Sequence, residues 1–512
     1  VPTIDMISDD IDDRASLASE KTRYLEILKS TFLIGGSSAI VLSFSVLRTK
    51  ALAVWLGPEG VGLIGMYNAI IDIAQATFGL GVAASGVRQV AEAAASQNEE
   101  SVARTAHSLK RLSLVLGIVG LIMLALLSAP IGNFTFGGNE HSLAIAFLSL
   151  AVLFRLVSAG QTAATQGLRQ IAVLAKINVL AAVLSTVATI ALVYVFRTEG
   201  IVPSLIASAA ATLAVSFVMS RNLVPTVEAS TRRDMWRDIS PLIRLGLIFM
   251  IGSLLNLVAA YLVRMIVVHE GDVAAAGLYQ AAWSLGSLYA GFILQAMGTD
   301  FYPRLTASAN DDSNCNRLVN DQAYISLLLA GPGVLATLTF SPLVMWLFYS
   351  PEFFAAADML RWICLGMLLR VFCWPLGYVV LAKGRQAIFF WTEVAATIVH
   401  VGLAYLLVQK FGVVGAASAF FGLYLWHGVL IYALVRRMTG FRWSPANVRL
   451  GTSLFVAAGA LFLATAHLPY WQATMIGCGA VLVSGTFTLR SMMRVVPADR
   501  LPGLLRPKNK SP

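Results

Sequence analysis

Apolar stretches of about 20 residues recur along nearly the whole chain, the length needed to cross ~30 Å of hydrocarbon at ~1.5 Å rise per helical residue. Lipid offers no partner to backbone N–H and C=O groups, so only helices or a closed barrel can span it. Barrel strands would alternate in segments of ~10 residues, and no such alternation is present. The 512 residues are 57% apolar and only 12% charged, with mean hydropathy +0.75. A soluble domain of this size does not have that composition. The sequence therefore predicts an all-α integral membrane protein.

Fourteen spans are expected. The first seven are 30–56, 61–83, 112–129, 143–163, 177–196, 201–219 and 245–268; the second seven are 274–297, 323–349, 359–382, 388–408, 413–435, 450–468 and 471–489. This divides the chain into an acidic tail at 1–26 expected to be disordered, an N-lobe at 27–225, a C-lobe at 226–440, an extra helical pair at 441–490 and a basic tail at 491–512. The first segment lacks the basic stretch, short apolar core and small-residue site of a cleaved signal peptide, so the first span is expected to direct its own insertion. Cys315, Cys364, Cys373 and Cys478 lie in or beside apolar sequence without paired spacing, and are expected to be small buried hydrophobes.

Charge tests the span count. Of 37 Lys and Arg residues, 29 fall in the two tails and the even-numbered loops, and only Arg197 and Lys410 in odd-numbered ones. Cytoplasmic loops collect cations, which places both termini in the cytoplasm of a multi-pass inner-membrane protein. A net charge of +10 then belongs to the membrane's inner surface, facing anionic lipids, and no nucleic acid is needed to explain it.

The six other cations lie within spans: Arg48, Lys50, Arg155, Arg264, Arg361 and Arg370. A charge near a span's centre costs at least ~2.5 kcal/mol on insertion scales, so it must meet a polar interior or a partner. Snorkelling to the headgroups is the alternative, strongest for Arg264, four residues from a helix end, fair for Arg361, Arg48 and Lys50, and weakest for Arg155 and Arg370. The embedded acids are Asp72 and Glu393, either proton or sodium sites or salt-bridge partners of the cations. His400 and His427 are expected to be satisfied core residues. The interior is thus positive in excess, which suits an anionic substrate, because guanidinium forks match phosphate oxygens.

An internal repeat runs beneath these features. Gly65-Met66-Tyr67-Asn68-Ala69 precedes Gly277-Leu278-Tyr279-Gln280-Ala281 by 212 residues. Arg48 and Arg264 are 216 apart, Arg155 and Arg370 are 215 apart, and Arg169-Gln170 and Arg385-Gln386 are 216 apart. An even number of spans per half keeps both halves in one orientation, giving two six-helix lobes about a pseudo-twofold axis along the membrane normal, plus two extra C-terminal helices. That geometry suits alternating access, with Arg155 and Arg370 facing a central cavity.

The run Leu56-Gly57-Pro58-Glu59-Gly60-Val61-Gly62-Leu63, followed by Phe78-Gly79-Leu80-Gly81, resembles the N-terminal signature of Wzx-type flippases for O-antigen and enterobacterial common antigen intermediates. These belong to the multidrug/oligosaccharidyl-lipid/polysaccharide exporter superfamily. Tyr302-Pro303-Arg304-Leu305, and Gly377-Tyr378-Val379-Val380-Leu381-Ala382-Lys383 followed by Glu393, are similar to its second-half pattern. The resemblance covers about residues 28–437. It implies translocation of an undecaprenyl-diphosphate-linked oligosaccharide from cytoplasmic to periplasmic leaflet, membrane lipids as surroundings, a polysaccharide polymerase and a chain-length regulator as partners, and no cofactor. The last two spans exceed the usual twelve, and lipid II flippases of the same superfamily also have fourteen.

Two other classes compete. A cation-coupled multidrug exporter would share the lobes, but cationic drugs call for acidic cavity residues, and here six cations face two carboxylates. An enzyme such as a polymerase or ligase would need a sizeable segment outside the membrane, whereas the longest odd-numbered loop is about a dozen residues. No Gly-rich phosphate loop, metal-ligand cluster or nucleophile elbow occurs in the sequence.

Overall fold

The computed structural model describes residues 5–96, 98–223 and 232–495, which form helices joined by short turns with no strand among them. Residues 1–4 and the end of the expected basic tail, 496–512, lie outside the described residues. Eleven helical stretches among the described residues are long and apolar enough to cross a bilayer. Two of them, Gly36–Gly79 with 44 residues and Ile171–Ser220 with 50, are long enough for two crossings each and fall on expected spans 1–2 and 5–6.

Helices divide between two compact units, the first taking residues up to Trp55 together with Tyr67–Leu257, the second taking Leu56–Met66 and residues from Val258 onward. Helix α1, Asp5–Gly79, begins within the acidic stretch that was expected to be unstructured. No glycine or proline occurs from Thr3 to Ile34, so nothing in the backbone interrupts the helix there. Gly57, at φ 64° and ψ −167°, breaks α1 into two, and Pro58 opens the second part without losing a needed donor.

The first unit continues with α2 (Val82–Ala95), α3 (Glu99–Leu126), α4 (Ser128–Phe136), α5 (Ser142–Gly167), α6 (Ile171–Phe196) and α7 (Ile201–Ser220), and takes in the beginning of α8 (Arg232–Glu270). α5 packs between α3 and α7. Val82, Val90, Ala106, Leu109 and Leu242 form a buried cluster joining α2, α3 and α8. Ser85 Oγ closes it by donating to the Leu242 carbonyl at 2.7 Å.

The second unit contains α9 (Val273–Ala296), which falls on the eighth expected span, then α10 (Tyr302–Ala307), α11 (Asp312–Thr339), α12 (Ser341–Phe348), α13 (Ala356–Ala382), α14 (Gln386–Phe411), α15 (Val414–Thr439), α16 (Pro445–His467) and α17 (Tyr470–Val495). α13 is its axis, packed by α9, α11 and α15. The expected ninth span, 323–349, is corrected: α11 stops at Thr339 and α12 is a separate short helix, because Pro342 lacks the donor and the room to prolong α11.

The repeat reappears in the helix boundaries. Starts of α3, α4, α5, α6 and α7 precede those of α11, α12, α13, α14 and α15 by 213 to 215 residues. Left-handed turns match as well, Arg169 (φ 55°) with Gly384 (φ 70°) and Arg197 (φ 52°) with Gly412 (φ 62°). The structural partner of Arg169 is thus Gly384, one residue before the Arg385 that sequence pairing suggests.

The extra pair is fastened to α11. Thr488 Oγ1 on α17 donates to the Leu328 carbonyl at 2.9 Å. At the other end, Asn316 Nδ2 donates to the Thr439 carbonyl (2.8 Å), and Asn320 Nδ2 to that of Arg442 (3.1 Å). Asn320 Oδ1 accepts from Ser444 N (2.8 Å) and Asn447 Nδ2 (2.9 Å). Asn320→Ala takes the side-chain partner from the Arg442 carbonyl and from Ser444 N, while Asn447 Nδ2 keeps the residue-320 carbonyl, and a loss of about 2 kcal/mol is expected. Limited proteolysis should then cut the 440–444 linker faster, with insertion of the spans unchanged.

Candidate functional site

In the first unit, the i, i+4 pair Asn68 and Asp72 on the second part of α1 presents two side-chain oxygens from one helix face. Arg155 of α5 reaches both: Nη1 donates to Asp72 Oδ1 at 2.6 Å and Nη2 to Asn68 Oδ1 at 2.9 Å. Arg48 lies close enough for its charge to oppose that of Arg155, and both Arg48 and Lys50 are half-buried. Asp72 also lines a cavity of about 540 Å³ shared with Gln75, Ser113, Leu116, Phe249 and Ser253.

The helix segment carrying this pair is pinned from the loop before α5. Tyr67 OH and His141 Nδ1 are 2.9 Å apart, and the His141 ring lies 4.1 Å from that of Phe136. Burial holds the His141 imidazole below its usual pKa of 6.5, with Glu140 pulling weakly the other way. A neutral ring at neutral pH leaves Nδ1 free to accept from the tyrosine. Because the folded state disfavours the imidazolium, this contact stabilises above pH 6.5 and weakens as the pH falls below it.

In the second unit, Arg264 of α8 donates from Nε to Gln280 Oε1 at 2.7 Å and from Nη1 to the Ala260 carbonyl at 3.0 Å. Gln280 Nε2 in turn donates to Ser284 Oγ at 3.0 Å. Asn68 and Gln280 occupy equivalent places in the repeat, yet hold different arginines, Arg155 in one unit and Arg264 in the other. Arg361 is 8% exposed and pairs with Asp358 at 2.5 Å, one turn back on α13.

Arg370 is held differently again. Its guanidinium carbon lies 4.7 Å from the Trp374 ring centre and 5.6 Å from that of Tyr424, so aromatic faces take the place of a carboxylate. Glu393, His400 and His427 all lie within reach of its charge. Among the described residues no hydrogen-bond partner reaches buried Arg370 Nε, His400 Nε2 or His427 Nδ1, so each of the two histidines expected to be satisfied in the core has one ring nitrogen unpaired there. Glu393 and His427 share a small cavity of about 50 Å³ with Trp374 and Tyr378.

Sequence reasoning did not foresee Asn68, Gln280, Trp374 and Tyr424. Trp374 was within reach, being one helical turn from Arg370, and so was Asn68, one turn from Asp72. Tyr424 comes from another helix and leaves no local signal.

A model of a family described as polysaccharide biosynthesis protein matches residues 51–358, more than half of the chain. The chain belongs to that family. It is similar to the lipid III flippase of Escherichia coli (strain K12), 21% identical over 413 residues that cover 78% of this chain and 96% of the relative. It is also similar to a putative O-antigen transporter of Shigella flexneri, 24% identical with 76% and 92% covered. Among solved structures, the lipid II flippase MurJ in an inward closed conformation aligns with TM-score 0.66 at 14% identity, over 91% of this chain and all of that one. An inward-facing multidrug resistance MATE transporter aligns with TM-score 0.62 at 16% identity, over 78% and 94%. This family member is a multi-pass helical membrane protein with the two-lobe transporter fold.

Proposed function

We propose that the chain is a flippase for an undecaprenyl-diphosphate-linked oligosaccharide, moving it from the cytoplasmic to the outer leaflet by alternating access, with both termini cytoplasmic. The observation that carries this reading is the way the embedded arginines are held. Arg370 rests on aromatic rings, an arrangement that does not cancel its charge. Asp72 and Glu393 are the acids available against Arg48, Lys50, Arg155, Arg264 and Arg370, so the spans keep a positive excess. A diphosphate supplies the missing anion, and the names of the relatives agree with a lipid-borne glycan. Arg361, spent on its own helix, we assign to packing.

With the cell interior negative, outward movement of an anion gains about 2.3 kcal/mol per charge per 100 mV if it crosses the whole field. The membrane potential therefore assists export without a coupled ion. The test is flipping in liposomes of a fluorescent undecaprenyl-diphosphate oligosaccharide, scored by an impermeant quencher. Protein-dependent flipping should accelerate when the source side is made negative. A lipid that stays put while a cationic dye is expelled would overturn the reading in favour of a drug exporter.

A further inference from the structure

We infer that Asp72 is a built-in substitute for the cargo's anion: its carboxylate occupies Arg155 while the site is empty, and an arriving diphosphate must displace it. The inference rests on the diphosphate reading above and adds a residue that sets affinity and release. Asp72 and Asn68 present oxygens 2.6 and 2.9 Å from the two terminal nitrogens of one guanidinium. Two oxygens on two parallel N–H groups is also how a phosphate engages an arginine fork, so carboxylate and phosphate compete for the same donors.

The bridge is open to such competition. The side chains of Arg155 and Asp72 are 30% and 44% exposed, and Asp72 lines the 540 Å³ cavity of its unit. Exposure of both partners weakens their attraction relative to the same pair closed off and lets an incoming anion reach the guanidinium. Nor does every embedded arginine of this protein need a carboxylate. Arg370, its counterpart in the repeat, has none within ion-pair distance among the described residues and lies on Trp374 and Tyr424 instead.

Exchange of one anion for another has a consequence that simple addition lacks. Binding is weakened by the work of displacing Asp72, and departure is aided when Asp72 closes again on Arg155. A carrier whose cargo must leave on the far side needs that compromise.

The test uses the full chain in nanodiscs, titrated with inorganic pyrophosphate in a calorimeter at fixed ionic strength. Asp72→Asn keeps the Oδ1 acceptor toward Arg155 while removing the charge. Pyrophosphate should bind this variant about tenfold more tightly than the unaltered chain, the factor expected from replacing a charged competing hydrogen bond by a neutral one. The gain should vanish in Asp72→Asn with Arg155→Gln. In liposomes the same Asp72→Asn protein should flip the lipid-linked oligosaccharide more slowly, and pyrophosphate trapped inside should stay inside, which separates a lipid-borne anion from a free one. Equal or weaker binding by Asp72→Asn, with Arg155→Gln still weakening it, would overturn the role of Asp72 and leave the diphosphate reading standing. Absence of binding by every form would overturn both.

Discussion

Arg155→Ala and Arg370→Gln each cut lipid translocation by an expected 10–100-fold, roughly what the loss of one or two charge-assisted hydrogen bonds to a phosphate amounts to. Both proteins should still be inserted and abundant, since the lobes are held by helix packing that neither side chain supplies. Removing Arg155 has a second effect, because Asp72 is left as an uncompensated anion within a span. Arg155→Ala with Asp72→Asn removes that complication and should be equally inactive while more stable than Arg155→Ala alone. For Arg370 the aromatic partners Trp374 and Tyr424 remain, and glutamine keeps a polar side chain beside them without the charge. The measurement is the liposome assay normalised to protein in the bilayer. Normal transport by both variants would remove the cationic-site account.

Gly277→Ala should be the most damaging small substitution in the second unit. A Cβ at Gly277 would lie 1.8 Å from the Pro58 carbonyl oxygen and 2.9 Å from Gly62 N, and one at Gly62 would lie 2.0 Å from the Val273 carbonyl. These are backbone atoms that no rotamer change can clear. The second part of α1 and α9 touch there through their main chains, as small residues allow between helices in lipid. Separating them costs roughly 3 kcal/mol or more, at the upper end for an overpacked site. Gly459→Ala on α16, with nothing within 4 Å of its added carbon, is the control and should gain up to about 1 kcal/mol from helix propensity. Thermal unfolding of the two variants in one detergent reads the difference. Equal stability would show that the close approach of Gly277 and Pro58 does not hold the unit together.

Span length and cation placement made the membrane fold legible, because hydropathy and insertion depend on residues near one another in sequence. The repeat was legible for the same reason, as a shift shared by Arg155 and Arg370. Its one-residue error at Arg169 arose because a left-handed turn leaves no residue-type signature when arginine occupies one copy and glycine the other. The break between α11 and α12 was available from Pro342 but was overridden by continuous apolarity around it. What the sequence could not give was who holds whom. Asp72 and Arg155 are 83 residues apart, and the rings around Arg370 come from α13 and α15. Such contacts are fixed by helix rotation and crossing, which periodicity constrains only loosely.

The asparagine clasp between α11 and the α15–α16 linker also sets a timetable. Asn320 is made 127 residues before Asn447, the residue that bonds its carbonyl and amide oxygens. At about 5–20 residues per second, roughly 6–25 s pass between the synthesis of the two. Throughout that interval the Asn316 and Asn320 amides, on the part of α11 that precedes the expected span at 323, bond to water, which they exchange for the linker once it is made. A nascent second unit therefore lacks this clasp until its last helical pair begins to emerge. The two helices beyond the usual twelve act in this sense as the final stitch of biogenesis.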